Sequence, residues 1–248
     1  MSAPTHPLTD GPLPDGYART RTELQRVATH VLARARADHG GRFGLRATPS
    51  GLGTPMFGPD ETVLRLVGTE LVLERQTDAG AVVVVTDLAG RSLADAASSA
   101  GVDLSVPFTP GADAPAVGDP QAPLDLDGAS CAVLLGWFAY GAQVLDAVLP
   151  ELDGPTVAQV WPEHFDLGCS ATTGSGGVNL GASPGDAGVP EPYLYVAPWE
   201  SGRPGDPDYW NAPYGAVATR SELAAGDGGA FAAGCAFLRR GLTALDAG

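Results

Sequence analysis

The sequence predicts an α+β fold: antiparallel sheet with helices packed on one face. Three observations carry this. One amphipathic helical period stands near the start and another near the end; short apolar runs separated by tight turns fill the stretches between helices; and those turns are too short for parallel crossovers, which need a dozen or more residues. The elements repeat in order as helix, meander, helix in two halves, without a sequence repeat to support duplication.

Residues 1–18 read as a flexible arm. Met1 to Gly16 holds four Pro and no Lys or Arg, so it lacks the charged and apolar regions of a secretory signal. From Thr20 to His39, Leu24, Val27, Ala28, Val31, Leu32 and Ala35 recur at helical spacing. Thr20 with Glu23 reads as a capping box, and Gly40-Gly41 as the stop. Phe43, Leu45 and Ala47 alternate, followed by apolar runs at Val63–Val67, Leu71–Glu74 and Val82–Val85. A short helix is expected from Ser92 to Ala100, with Ser92 and Asp95 at its cap. Residues 103–127 contain five Pro and five Asp, an irregular connection and the place for an internal boundary within a single domain spanning 19–248. The run from Ala129 to Leu149 is apolar nearly all round and reads as a central packing helix. It is interrupted by Gly136, Gly141 and Asp146, against the ~20 uninterrupted residues a membrane span asks for. Strands return at 157–171, 178–182 and 193–197, and a helix capped by Asp227 closes the chain from Gly228 to Leu245.

Charge narrows the partners. All 14 basic residues are Arg, against 29 acidic ones, for a net charge of -15. The excess lies entirely after residue 91, and no Lys or Arg occurs from Ser92 to Gly202. Such a surface repels phosphate backbones and anionic lipids, so neither nucleic acid nor membrane is expected as a partner. Cys131, Cys169 and Cys235 are odd in number and set in apolar or small-residue contexts, which fits reduced core thiols and a cytoplasmic location.

The chemical candidates cluster in the second half. In WPEHFDL (161–167), a continuous strand would put His164 and Asp166 on one face and Trp161, Glu163, Phe165 and Leu167 on the other. A carboxylate beside an imidazole orients the ring and favours its protonated form, as a general acid/base requires. His164, Asp166 and Glu163 are therefore the catalytic candidates; a core or edge histidine satisfied by its neighbour is the plainer alternative. GASPGDAGVPEPYLYVAPWE (181–200) adds Asp186, Glu191, Tyr193, Tyr195 and Trp199. Trp210 follows in a loop rich in aromatic residues. Eight of the 17 aromatic residues fall between Trp161 and Tyr214, and rings of this kind suit a pocket wall. Arg203 and Arg220 could anchor a substrate carboxylate. His30, on the Arg-bearing face of the first helix, and His39, at its end, read as structural.

Gly51-Leu52-Gly53 lacks the rest of a dinucleotide fingerprint, and no P-loop, HExxH or GxSxG occurs, so no organic cofactor is expected. His164 with Asp166, Asp186 and Glu191 would suit a divalent cation such as Mg or Mn better than zinc. GLRATPSGLGTPMFG, WPEHFDL, GASPGD, PEPYLYV and the following PW together resemble a family of soluble bacterial proteins, common in high-GC actinobacteria, that has no assigned activity. The similarity runs from the first helix to the last and implies no site residues. The expectation is a cytosolic small-molecule enzyme with a His/Asp acid-base pair in an aromatic-lined pocket. Its alternative is a non-catalytic ligand-binding or protein-interaction module using the same aromatic surface.

Overall fold

A computed structural model describes residues 11–247; of the expected N-terminal arm, residues 1–10 lie outside the described residues. The architecture is α+β, with two five-stranded antiparallel meanders, β1-β2-β3-β4-β5 and β10-β9-β8-β7-β6, in which every strand neighbours its sequence successor. Two compact units divide the chain. Of the described residues, one contains 13–135 and 160–165, the other 136–159 and 166–247 along with 11–12.

In the first of these units the opening helix comprises α1 (Tyr17–Val27), a π-helical segment (Ala28–Ala33) and α2 (Arg34–Ala37). It begins three residues before the expected cap. Gly16 holds the N-cap position without a side-chain bond, and Thr20, inside the helix, instead accepts the Asp127 N–H at 2.9 Å. Glu23 pairs with Arg26 at 2.6 Å. His30, in the π-helical segment, is buried at 4% exposure instead of lying on a solvated face, and its Nε2 meets the Pro115 carbonyl at 2.7 Å.

The first sheet follows: β1 (Arg46–Thr48), β2 (Gly51–Gly53), β3 (Val63–Val67), β4 (Glu70–Thr77) and β5 (Gly80–Asp87). Gly51-Leu52-Gly53 is thus a strand, and Gly51 passes so close to the Leu66 carbonyl that a side chain there would overlap it. Leu52, Leu64, Leu66 and Leu71 are buried, whereas Val83, Val84 and Val85 on the edge strand β5 are exposed. Then comes α3 (Leu93–Ala100), closed by the expected reciprocal Ser92–Asp95 capping box and a left-handed Gly101.

Helix α4 (Gly128–Val148) runs from one unit into the other. Asp127 starts it by accepting both the backbone N–H and the hydroxyl of Ser130, at 2.8 and 2.6 Å. Contrary to the expectation from its two glycines and Asp146, Gly128–Glu151 is long and apolar enough to cross a membrane, and more than half of its most apolar stretch is buried inside the protein, as in a core helix.

The chain continues with a 3-10 turn (Leu149–Glu151), β6 (Gln159–Trp161), β7 (Asp166–Thr173), β8 (Gly176–Ser183), β9 (Tyr193–Pro198), β10 (Ala216–Thr219), α5 (Arg220–Ala224) and α6 (Ala230–Ala247). The strand expected over 157–171 is therefore broken between Trp161 and Asp166. Leu167, Cys169, Val178, Leu180, Ala182, Leu194 and Val196 form the buried face of this sheet. Helices cover it: a side chain at Gly141 of α4 would overlap Ala182, and one at Gly234 of α6 would meet Leu194. Helix α5 was not legible as a helix; Thr219 and Glu222 give it a capping box. Asp227 does not cap α6, because Gly228 and Gly229 intervene with positive φ and the helix starts at Ala230. Cys131, Cys169 and Cys235 are free thiols. Burial pushes Cys131 up to about 11 and Cys169 up to about 12, so both are inert at neutral pH.

Candidate functional site

Alternation along β7, β8 and β9 sends the side chains not used in the core to the opposite face of the second sheet. The pairings Gly168↔Gly181, Gly181↔Tyr195 and Ser183↔Tyr193 lay Tyr195 across a floor of two glycines. A Cβ at Gly168 would stand 2.8 Å from the Tyr195 hydroxyl, and one at Gly181 would overlap it. The two glycines therefore admit the phenol.

Two tyrosine–carboxylate bonds occupy this face. Tyr195 donates to Asp166 Oδ2 at 2.5 Å, and Tyr193 donates to Asp186 Oδ2 at 2.5 Å. The rings lie 6.4 Å apart. Asp186 is fixed by its own loop, its Oδ1 accepting the N–H groups of Gly188 and Val189 at 2.6 and 2.8 Å. Ser183 is buried beside them, and Tyr214 shares a side-chain hydrogen bond with Tyr193. Burial, reinforced by the negative charge of Asp166, raises the Tyr195 pKa well above the ordinary phenol value. Burial and the bond to Asp186 raise that of Tyr193 in the same way. Both are neutral donors at physiological pH, and their short bonds mark Asp166 and Asp186 as the acceptors.

The other candidates separate from this pair of bonds. Residues 162–165 form a turn, so His164 is not on a strand face shared with Asp166. The turn closes with Phe165 N–H to the Trp161 carbonyl at 2.7 Å, and Phe165 takes a left-handed φ of 55°. That conformation is uncommon for an aromatic residue; the surrounding contacts hold it. The Phe165 ring is buried, Thr29 donates to the Pro162 carbonyl at 3.0 Å, and Gln25 to that of Glu163 at 2.9 Å. His164 thus projects outward, its side chain 55% exposed, with Nδ1 3.5 Å from Oδ2 of Asp113. Glu163 is buried and packs on Gly111. Trp161 meets Phe43 edge-on, ring centroids 6.4 Å apart.

Glu191 has a structural role, its Oε2 accepting the N–H and hydroxyl of Ser221 at the start of α5, at 3.1 and 2.6 Å. Trp210 donates to the Pro204 carbonyl at 2.8 Å under the Arg203 guanidinium. Arg220 is buried and donates to the Gly11 carbonyl at 3.0 Å. Trp199 lies on the same sheet face as the two tyrosines but toward the hairpin that joins β7 to β8. Among the described residues no group of three or more His, Cys, Asp or Glu is placed to hold a metal ion. In the first unit a cleft of about 150 Å³ is lined by Asp38, His39, Phe57, Asp60, Thr62 and Arg75, among others, and by none of the catalytic or binding candidates.

Sequence reading missed Asp113, Ser183 and the paired glycines. The signal was present in β8 as Gly177-x-Asn179-x-Gly181-x-Ser183, alternate positions with small or polar side chains opposite an apolar set. Comparison with protein-family models, with curated proteins and with solved structures returns no match.

Proposed function

We propose that the protein acts on a small polar molecule that carries no negative charge, held on the outer face of the second sheet. Asp166 serves as the base, and Tyr195, which keeps its proton, as the hydrogen-bond donor that holds the carboxylate in place. The observation that carries this reading is the side-by-side pair of 2.5 Å tyrosine–aspartate bonds on the sheet face opposite the core. A network of buried polar groups costs stability compared with apolar packing unless fully satisfied, and perturbed acid–base groups concentrate at functional sites. The carboxylate holds a proton acceptor beside a phenol that remains protonated, the complementary arrangement that acid–base chemistry needs. In this reading the Asp of the expected His/Asp pair is retained, and its hydrogen-bond partner is Tyr195 in place of His164.

The absence of Lys and Arg from Ser92 to Gly202 disfavours phosphorylated and carboxylate substrates, which are usually gripped by cations. The same charge distribution argues against nucleic acid and membrane partners, and the three free cysteines fit a cytoplasmic protein.

The test is thermal-shift screening of the full-length protein against a panel of neutral and cationic small metabolites, in parallel with Tyr195→Phe and Asp166→Asn. Compounds that raise Tm in the wild type and lose that effect in both variants support the assignment. A panel without stabilising compounds, or one whose compounds stabilise all three proteins equally, contradicts it.

A further inference from the structure

The cleft of the first unit is walled by two helix ends, a strand and a tight turn. Ala35 and His39 come from the close of the opening helix, and Ala100 to Val102 from the close of α3. Leu73 and Arg75 are alternate residues of β4, on the face of the buried Leu71. The turn is fixed at both ends: Phe57 and Thr62 exchange backbone bonds at 3.0 and 2.8 Å, and the Asp60 carbonyl accepts the N–H of Gln76, the neighbour of Arg75, at 2.8 Å. The His39 ring is seated against Gly58, where a Cβ would stand 2.9 Å from Cδ2, and lies 5.3 Å from the Phe57 ring. Its Nδ1 donates to the Ala35 carbonyl at 3.0 Å.

The charges of the lining select what it holds. Asp38 is paired with Arg34 at 2.7 Å, and that guanidinium also donates to the Val106 carbonyl at 2.8 Å. Asp60 and Arg75 line the same cleft, and among the described residues neither side chain makes a hydrogen bond or an ion pair, with the other or with any third group. One carboxylate and one guanidinium are therefore left for a ligand. A lone anion would be repelled by Asp60 and a lone cation by Arg75, whereas a zwitterion complements both. The ends of two helices add to this, because C-terminal carbonyls carry partial negative charge and favour an ammonium group. Phe57, Leu73 and Val102 supply apolar wall. The volume of about 150 Å³ admits a molecule of benzene's bulk and is well below the roughly 300–1,000 Å³ of cofactor-sized pockets.

We infer that this cleft binds a free α-amino acid with an apolar side chain. Arg75 takes the carboxylate, for which the planar guanidinium offers two parallel N–H donors. Asp60 accepts the ammonium group, and the ligand's side chain lies against Phe57 and Leu73. The inference is independent of the Asp166–Tyr195 reading, because the cleft belongs entirely to the other unit.

The experiment is isothermal titration calorimetry of the full-length protein with L-valine, L-leucine and L-phenylalanine, and with the N-acetyl and the carboxamide derivative of each. At least one of the three amino acids is expected to bind, and both of its derivatives to bind about tenfold or more weakly, the size of effect expected when one charged hydrogen bond is lost. Asp60→Asn and Arg75→Gln should each weaken the parent amino acid by a similar factor, with circular dichroism unchanged because both side chains are exposed. Asp78→Asn, at an exposed carboxylate in the turn from β4 to β5 and outside the lining, should leave binding as it is. The inference is overturned if none of the three amino acids binds, if either derivative binds as well as its parent, or if only one of the two cleft variants weakens binding. Equal binding by wild type and both cleft variants places the ligand elsewhere and overturns it too. The comparison of derivatives uses the wild-type protein alone, so it decides the matter should a variant fail to fold.

Discussion

The Tyr195 hydroxyl donates a 2.5 Å bond to Oδ2 of Asp166, joining the centre of β9 to the first residue of β7 across the intervening strand β8. The geometry depends on Gly168 and Gly181, which leave the phenol room to reach over two strands. Removing the hydroxyl as Tyr195→Phe leaves a carboxylate without that donor and is expected to cost about 1.5–3 kcal/mol, the range for hydrogen bonds to charged groups. Urea denaturation of Tyr195→Phe, Asp166→Asn and the double variant checks this. The double variant should lose clearly less than the sum of the singles.

The same bond predicts alkaline behaviour. Folding raises the Tyr195 pKa, so the folded protein holds this proton more tightly than the unfolded chain does. The stabilisation is fully present below about pH 10, where the unfolded phenol is protonated, and is lost as pH rises above it. Tyr193, Tyr140 and Tyr209 are raised as well, each chiefly by burial, and act with the same sign. Absorbance at the phenolate band should therefore show these tyrosines silent until the protein unfolds, in a transition coincident with loss of circular dichroism.

Between neutrality and pH 5 the shifted group that titrates is His30. Burial lowers its pKa, and the positive charge of Arg26 adds to this, outweighing the opposing bond to Pro115. The unfolded chain takes up this proton near pH 6.5 while the folded one resists, so the stability is present above that pH and declines as pH falls below it. Urea midpoints between pH 7.5 and pH 5 should fall in the wild type, and fall less in His30→Gln.

Gly181→Ala places a methyl group against the Tyr195 hydroxyl and the Leu167 carbonyl, and backbone cannot move aside cheaply. The expected cost is about 1–3 kcal/mol. Gly202→Ala, where a Cβ meets nothing within 4 Å, is the matched control and should leave the denaturation midpoint almost unchanged.

His164→Ala tests the residue the sequence singled out. With a side chain 55% exposed and its carboxylate partner 3.5 Å away, its removal should change stability by less than about 0.5 kcal/mol, read from the same urea curves.

These outcomes follow a division in what the sequence could show. The apolar periods of Leu24–Ala35 and of β3, β4 and β8 were legible because burial imposes them directly. The Ser92–Asp95 cap was legible because it is local. The capping reading of Thr20 failed because Asp127, more than a hundred residues away, claims that hydroxyl. The break in 161–167 was hidden for a related reason. Nothing within seven residues reveals that Gln25 and Thr29 grip the Pro162 and Glu163 carbonyls and hold Phe165 in a left-handed turn. At the site, Asp166, Asp186, Tyr193 and Tyr195 could be picked out as chemical residue types. Their pairing into two bonds required the strand register, which composition does not encode.

The most direct measurement is a crystallographic fragment screen, soaking the wild-type protein with neutral and cationic fragments and locating density on the outer face of the second sheet. Fragments within hydrogen-bond reach of Asp166 and Tyr195, absent from crystals of Tyr195→Phe, are the predicted result. Fragments that gather elsewhere, for instance in the cleft beside His39 and Arg75, while the Asp166–Tyr195 face stays empty would contradict the account.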